Sequence, residues 1–217
     1  MEKVDFRSSI NWRIFRIMAE FIDGFEFLAD FSNEVSIFGS ARLPEDSRYY
    51  KDAVQLGRML AEEGYTVITG GGPGIMEAGN RGAYEGGGES VGLNIQLPFE
   101  QRENLYVKKG IGFSYFFTRK VMLYASSQAY IYFPGGFGTM DEFVEMMTLV
   151  QTDKVEKVPI ILVGKDFWGG LEDWIKEVML HGPHETISPE DLDLFTIVDT
   201  PEEVMEIVRT TKERKYF

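Results

Sequence analysis

Two glycine-rich segments constrain the fold more than any other feature of the sequence: Thr69-Gly-Gly-Gly-Pro-Gly74 and Pro134-Gly-Gly-Phe-Gly-Thr139. Each follows a short apolar run that is typical of a buried strand and precedes a helical pattern. A third loop of small residues, Gly39-Ser-Ala-Arg42, stands in the same context. Glycines there let the backbone turn sharply and approach a ligand. The three segments predict repeated strand–loop–helix units.

The rest of the chain continues this alternation. Strands are predicted at 35–38, 65–68, 90–95, 129–133, 159–163 and 195–198, with helices between them. We therefore expect an α/β fold, a Rossmann-like, doubly wound and mostly parallel sheet, formed by a single domain over 1–217. Apolar residues at spacings of three and four predict an extra N-terminal helix within residues 1–32, before a core of 33–217. That helix either packs on the core or also helps to form a dimer interface.

Composition restricts the partners. The formal net charge of −13 disfavours nucleic acid, and the absence of cysteine removes disulfides and zinc–thiolate sites. With neither an apolar signal core nor a membrane span, we expect a cytoplasmic protein. His181 and His184 flank a Gly-Pro turn and are interpreted as surface residues, so neither a metal nor a cofactor is predicted.

The three loops should meet at one edge of the sheet, where helix N-termini offer free N–H groups to an anion. The familiar nucleotide motifs are absent. A dinucleotide fingerprint would require glycine at Glu77, and a P-loop would require Gly-Lys-Ser/Thr after its glycines. The alternative that the glycines serve only tight turns stays open.

Two side-chain groups have both a functional and a structural interpretation. Arg119 could clamp a phosphate or carboxylate, or it and Lys120 could belong to a solvated helix face. Glu142 could hold or deprotonate a water beside a bound sugar. Its position three residues after Thr139 equally fits a capping box at the start of a helix.

These segments together resemble the LOG (Lonely Guy) family. The resemblance is carried by Gly70-Gly-Gly-Pro-Gly-Ile-Met-Glu-Ala78, Arg119-Lys120 and Pro134-Gly-Gly-Phe-Gly-Thr-Met-Asp-Glu142. It implies a phosphoribohydrolase that cleaves the N-glycosidic bond of a nucleoside 5′-monophosphate, AMP or a cytokinin ribotide. It also implies Arg119 and Glu142 as the catalytic pair, and a substrate and phosphate site formed by Ser40, Gly70, Gly71, Gly72, Lys120, Gly135, Gly136, Gly138 and Thr139.

The resemblance leaves three questions. Many relatives are called lysine decarboxylases, an activity that needs pyridoxal phosphate on a lysine such as Lys120. The same loops also occur in non-catalytic carriers of the molybdenum cofactor. The preferred base is undetermined, because Glu77 departs from the compact members and the pocket segment Asn94-Ile-Gln-Leu-Pro98 cannot be positioned. The family further implies a homodimer or higher homo-oligomer that completes the cleft, with 113–124 as a contact.

Overall fold

The computed structural model describes residues 10–96, 103–125 and 127–214. Its helices are α1 (Ile10–Leu28), α2 (Arg48–Glu62), α3 (Ile75–Glu85), α4 (Phe116–Ala125), α5 (Phe137–Gln151), α6 (Lys165–Trp174) and α7 (Pro201–Val208). Its strands are β1 (Glu34–Phe38), β2 (Thr66–Thr69), β3 (Ser90–Ile95), β4 (Lys109–Phe113), β5 (Ala129–Tyr132), β6 (Ile160–Val163) and β7 (Thr196–Val198).

The strands form one sheet in the order β4-β3-β2-β1-β5-β6-β7, and every pairing between the described strands is parallel. From β1 the chain builds outward to β4 and then returns to add β5 on the other side of β1. The switch point therefore lies between β1 and β5. This arrangement confirms the Rossmann-like, doubly wound α/β prediction, and it predicts a ligand cleft beyond the carboxyl ends of those strands.

Helices cover both faces of the sheet and bury two apolar layers. On one face α2 and α3 cross at very short range because glycines stand at the contact. A Cβ atom at Gly57 would collide with the carbonyl oxygen of Gly79, and one at Gly82 with that of Val54. This close packing fixes α3, the helix that begins directly after the Thr69–Gly74 loop.

The predicted N-terminal helix is present as α1, which packs against α4 and β4. The contact with α4 is close at Gly24, where a Cβ would lie 2.6 Å from the Sδ atom of Met122. Leu28 is buried, whereas Ile14 is 49% exposed. The apolar stripe therefore only partly faces the core. The division of the chain into 1–32 and 33–217 stays a prediction.

Several local predictions are confirmed and two are corrected. Gly64 follows α2 with a φ of 83°, as a residue beyond a helix C-terminus commonly does, and Thr200 and Glu203 form the predicted capping box of α7. Strand β4 was not predicted. The helical stripe ending near residue 179 is α6 followed by a π-helical segment, Ile175–Leu180. None of the helices in the described ranges is both long and apolar enough to cross a membrane.

Candidate active site

A cleft of about 1000 Å³ opens at the switch point. It is lined by the loops that follow β1 and β5, by Gly70 after β2, by the end of β3, and by residues of α2, α3, α4, α5 and α6. This is the sheet edge at which the sequence predicts the three small-residue loops to meet. The volume lies within the range of small-molecule sites, about 300–1000 Å³.

The start of α5 forms one wall of the cleft. Gly136 is the N-cap, and no side chain caps the helix. The first N–H in the helical ladder is that of Met140, which donates to the carbonyl of Gly136, so the preceding N–H groups have no helical partner. Together with the positive end of the helix dipole, they favour an anion at this wall.

The three glycines at the start of α5 differ in how much space each leaves for a side chain. A Cβ at Gly135 would collide with the side chain of Thr139, so this position must lack a side chain for the loop to close on the helix. At Gly136 and Gly138 a Cβ would meet no atom within 4 Å, because both positions face open space. All of these residues, with Thr139, line the cleft.

Arg119, on α4, forms part of the opposite wall. Its Nε donates to the carbonyl oxygen of Leu93 at 2.8 Å, and its guanidinium lies against Gly70, where a Cβ would come within 2.6 Å of Nη2. Burial lowers the pKa of Arg119, and the negative charge of Glu142 opposes that shift. Among the described residues its two Nη groups have no hydrogen-bond partner, which leaves them for a ligand.

Glu142 faces the same cleft from α5. Burial raises the pKa of its carboxyl group to about 7, against the lowering effect of the Arg119 and Lys120 charges. In the described part of the chain no ion pair joins Glu142 to Arg119. A carboxyl group with this pKa is present in both protonation states near neutral pH, as a general acid or base requires.

The capping-box interpretation of Glu142 is wrong. Since α5 begins at Phe137 and its N-cap is Gly136, Thr139 already lies inside the helix. Thr139 therefore cannot be the N-cap partner of Glu142. The capping-box alternative for this carboxylate is thereby removed.

Ser40 lies on the loop after β1 and lines the cleft. Its N–H donates to the carbonyl of Pro134 and its carbonyl accepts from the N–H of Ile75, so it ties the three loops together. Its hydroxyl accepts from the N–H of Arg42 at 3.1 Å. Arg42 is exposed and also lines the cleft, and it adds a second positive charge.

Gly71 and Gly72 do not line the cleft, contrary to the expectation for these two residues. Both are buried, and Gly71 adopts a φ of 70°. Asn104 holds the loop from behind: its N–H donates to the carbonyl of Gly71 and its amide donates to that of Gly72 at 3.0 Å. The same amide donates to Asn80, which belongs to a buried network with Thr69. These residues shape the loop from outside the cleft.

Lys120 likewise lies outside the cleft lining. Its Nζ contacts Asp141 at 2.9 Å and Glu145 at 2.5 Å, so the side chain links α4 to α5. Although burial lowers the pKa of Lys120, the hydrogen bonds to Glu145 and Asp141 raise it overall. Lys120 is therefore a charged cross-link beside Arg119. The alternative that the two residues belong to a solvated helix face is wrong, because neither is exposed and both side chains are largely buried.

Other lining residues were not singled out from the sequence. Tyr49 and Phe167 reach the cleft from α2 and α6, and nothing in their spacing distinguishes them from ordinary helix residues. Asn94 lines the cleft, whereas Leu97 and Pro98 of the expected pocket segment lie outside the described residues. His181 and His184 are exposed, and the described residues contain no group of three or more potential metal ligands.

Comparison with known proteins gives one family. The family model described as "Possible lysine decarboxylase" matches residues 76–208. A rice (Oryza sativa subsp. japonica) protein named "Probable cytokinin riboside 5'-monophosphate phosphoribohydrolase LOGL5" is 34% identical over 136 residues, 61% of this chain and 54% of its own length. The chain thus spans about half of that relative. "Cytokinin riboside 5'-monophosphate phosphoribohydrolase" of Mycobacterium tuberculosis is 28% identical, with 76% of this chain and 88% of that protein covered.

Solved structures agree on the fold. An X-ray structure of a structural-genomics target has 26% identity and a TM-score of 0.60 over 82% of this chain and 98% of its own. The molybdenum cofactor binding protein of Rippkaea orientalis has 23% identity and a TM-score of 0.59 over 82% and 94% of the two chains. The second likeness, at that identity, concerns the architecture alone.

Proposed function

The chain belongs to the LOG family, and we propose that it hydrolyses the N-glycosidic bond of a nucleoside 5′-monophosphate, AMP or a cytokinin ribotide, to the free base and ribose 5-phosphate. The observation that carries this proposal is the convergence of three groups on one cleft. These are the free N–H groups at the start of α5, the guanidinium of Arg119 and the carboxyl group of Glu142. The names of the relatives support the same reaction class.

In the proposed reaction the 5′-phosphate binds at the start of α5, where Gly136, Gly138 and Thr139 offer N–H donors. Glu142 follows by about one turn, near the sugar. As the C1′–N bond breaks, positive charge develops on the sugar, which an ionised carboxylate stabilises. The electron pair of this bond leaves with the base, the water oxygen bonds to C1′, and Glu142 accepts a proton from that water and passes it to the departing nitrogen of the base. Arg119 orients the substrate opposite this carboxylate.

Lysine decarboxylation does not fit the site. Pyridoxal phosphate would need a lysine amine able to form a Schiff base, and a nucleophilic lysine needs a lowered pKa. No lysine is present among the described residues that line the cleft. Lys120, the neighbour of Arg119, is held charged by two carboxylates.

The carrier alternative predicts nucleotide or cofactor binding without turnover. It shares the fold and the α5 phosphate site, but it gives no role to a carboxyl group with a pKa of about 7 beside a buried arginine. The two functions differ in one observable. Only the hydrolase releases a base.

We further propose that the active form is a homodimer or higher homo-oligomer in the cytoplasm, with 113–124 at a subunit contact. In support, Phe116 and Phe117 are 57% and 48% exposed at the start of α4, next to the cleft. Sedimentation velocity over a dilution series measures the assembly. Full activity in a sample that sediments only as monomer would contradict this part of the proposal.

The deciding experiment measures base release from AMP and from the N6-isopentenyladenine ribotide by chromatography. It compares the wild type, Glu142→Gln and the control Glu206→Gln, which changes an exposed glutamate of α7. We expect release by the wild type and the control, and loss of release with retained nucleotide binding in Glu142→Gln. The ratio of the two wild-type rates identifies the preferred base. Binding of both nucleotides without release by any variant would favour the carrier.

A further inference from the structure

Glu20, on the N-terminal helix α1, reaches the start of α4. Its carboxylate accepts hydrogen bonds from the N–H of Ser114 at 2.8 Å and from the N–H of Tyr115 at 3.3 Å. It also accepts from the hydroxyl of Thr118 at 2.6 Å. These are the residues immediately before α4 and in its first turn. A carboxylate here satisfies free N–H groups and compensates the positive end of the helix dipole.

The chain of contacts continues to Arg119. The backbone N–H of Arg119 donates to the carbonyl of Tyr115 at 3.3 Å, and the buried hydroxyl of Thr118 also lies 2.8 Å from that carbonyl. Glu20 therefore holds the backbone N–H of Tyr115, and the carbonyl of the same residue accepts the hydrogen bond from the N–H of Arg119. In this way α1 fixes the first turn of α4, from which the Arg119 side chain extends.

The other constraints on α4 lie elsewhere. Met122 and Leu123 anchor the later part of α4 in the core, and Lys120 links it to α5. At and just before the first turn, the described contacts from other segments include those of Glu20 and the Nε bond of Arg119 to Leu93. The hydroxyl of Ser114 also bonds to Gln96, and the guanidinium of Arg13 lies over the Tyr115 ring. Only Glu20 among these accepts from the backbone N–H groups before α4, and without it those groups would need water as a partner and the first turn would be held less firmly.

We infer that Glu20 is a positioning residue for Arg119, so that the N-terminal helix takes part in building the cleft. This inference rests on the proposed function for its kinetic consequence. A displacement of a catalytic group by about 1 Å can reduce a rate by roughly 100-fold, so loosening one helical turn should lower kcat by roughly tenfold. Phosphate binding at α5 should change little.

The test compares Glu20→Ala, Glu20→Gln and Glu26→Ala, the last being the same change at an exposed glutamate of α1. For base release from AMP we expect kcat to fall roughly tenfold in Glu20→Ala and by less than about threefold in Glu20→Gln, whose amide oxygen still accepts hydrogen bonds. The dissociation constant for AMP and the activity of Glu26→Ala should stay near wild type.

A second readout needs no turnover. The Nε–H resonance of Arg119 in a ¹⁵N–¹H spectrum, assigned by its loss in Arg119→Lys, reports the bond to Leu93. It should shift or broaden in Glu20→Ala and stay in place in Glu26→Ala. If the wild type releases no base, the proposed function fails and this resonance alone decides the inference. The inference would be overturned if kcat and the Arg119 resonance are both unchanged in Glu20→Ala. It would also be overturned if the activity lost in Glu20→Ala only matches the fraction of unfolded protein and Glu20→Gln does not restore it.

Discussion

Replacing Glu142 by glutamine should stabilise the protein while removing its proposed activity. Burial raises the pKa of this carboxyl group from 4.5 to about 7, so its ionised form is less stable in the folded protein than in the unfolded chain. The wild type keeps its full stability below pH 4.5, where both states are protonated, and loses stability as the pH rises through about 7. A glutamine does not titrate, so the variant avoids this loss.

The size of the effect follows from the two pKa values. A rise from 4.5 to about 7 corresponds to at most about 3 kcal/mol at pH 8 and almost nothing at pH 4. For a chain of this length, 1 kcal/mol changes Tm by about 2–4 °C. The predicted gain at pH 8 is therefore readily measurable.

The assay is urea unfolding at pH 4 and at pH 8, with Glu206→Gln as the exposed control on α7. The free energy of unfolding of Glu142→Gln, relative to the wild type, should increase between the two pH values, whereas that of the control should stay nearly constant. A difference for Glu142→Gln that does not change with pH would refute the argument that burial disfavours the ionised carboxylate.

Three further predictions concern rate and packing. The kcat of base release should rise with pH around a midpoint near 7, and one pH unit below the midpoint it should be roughly tenfold below its plateau at high pH. Lys120→Met should move the midpoint upward because the lysine charge lowers the pKa of Glu142. A flat pH–rate profile would contradict this. Gly70→Ala places a Cβ 2.6 Å from Nη2 of Arg119, so this variant should fold normally but lose at least roughly tenfold in kcat. A wild-type kcat would show that Arg119 does not lie against Gly70 in the active protein. Gly82→Ala should destabilise the chain by about 1–3 kcal/mol in urea unfolding, without changing kcat of the folded fraction; unchanged stability would show that α2 and α3 separate freely.

The parallel core was predictable because its strands are short apolar runs between glycine turns, a pattern that requires burial on both faces. Strand β4 was not, although it pairs with β3 over five residues. Lys109–Phe113 contains two glycines, and Phe113 alone is buried. An edge strand of this kind lacks the apolar pattern, and only its hydrogen bonds to β3 define it.

The site was predictable to the level of motifs and loop positions, but individual side chains depended on the backbone. Ser/Thr-x-x-Glu spacing suggests a cap, yet α5 begins two residues before Thr139 and makes that interpretation wrong for Glu142. Adjacent Arg119 and Lys120 look alike in sequence. Only the position of α5 shows that one faces the cleft and the other is paired with two carboxylates. Contacts between distant segments, such as that of Glu20, have no local signal.

The proposed phosphate site would also explain how a chain with a formal charge of −13 can hold an anion. The N–H groups at the start of α5 are neutral dipoles whose orientation does not depend on the surface charge. Arg119 adds a positive charge that burial shields from salt, and Arg42 adds another at the exposed rim. Surface charges more than about 10 Å away are largely screened at 0.1 M salt. The acidic surface should therefore slow the approach of a nucleotide at low salt more than it weakens the bound complex.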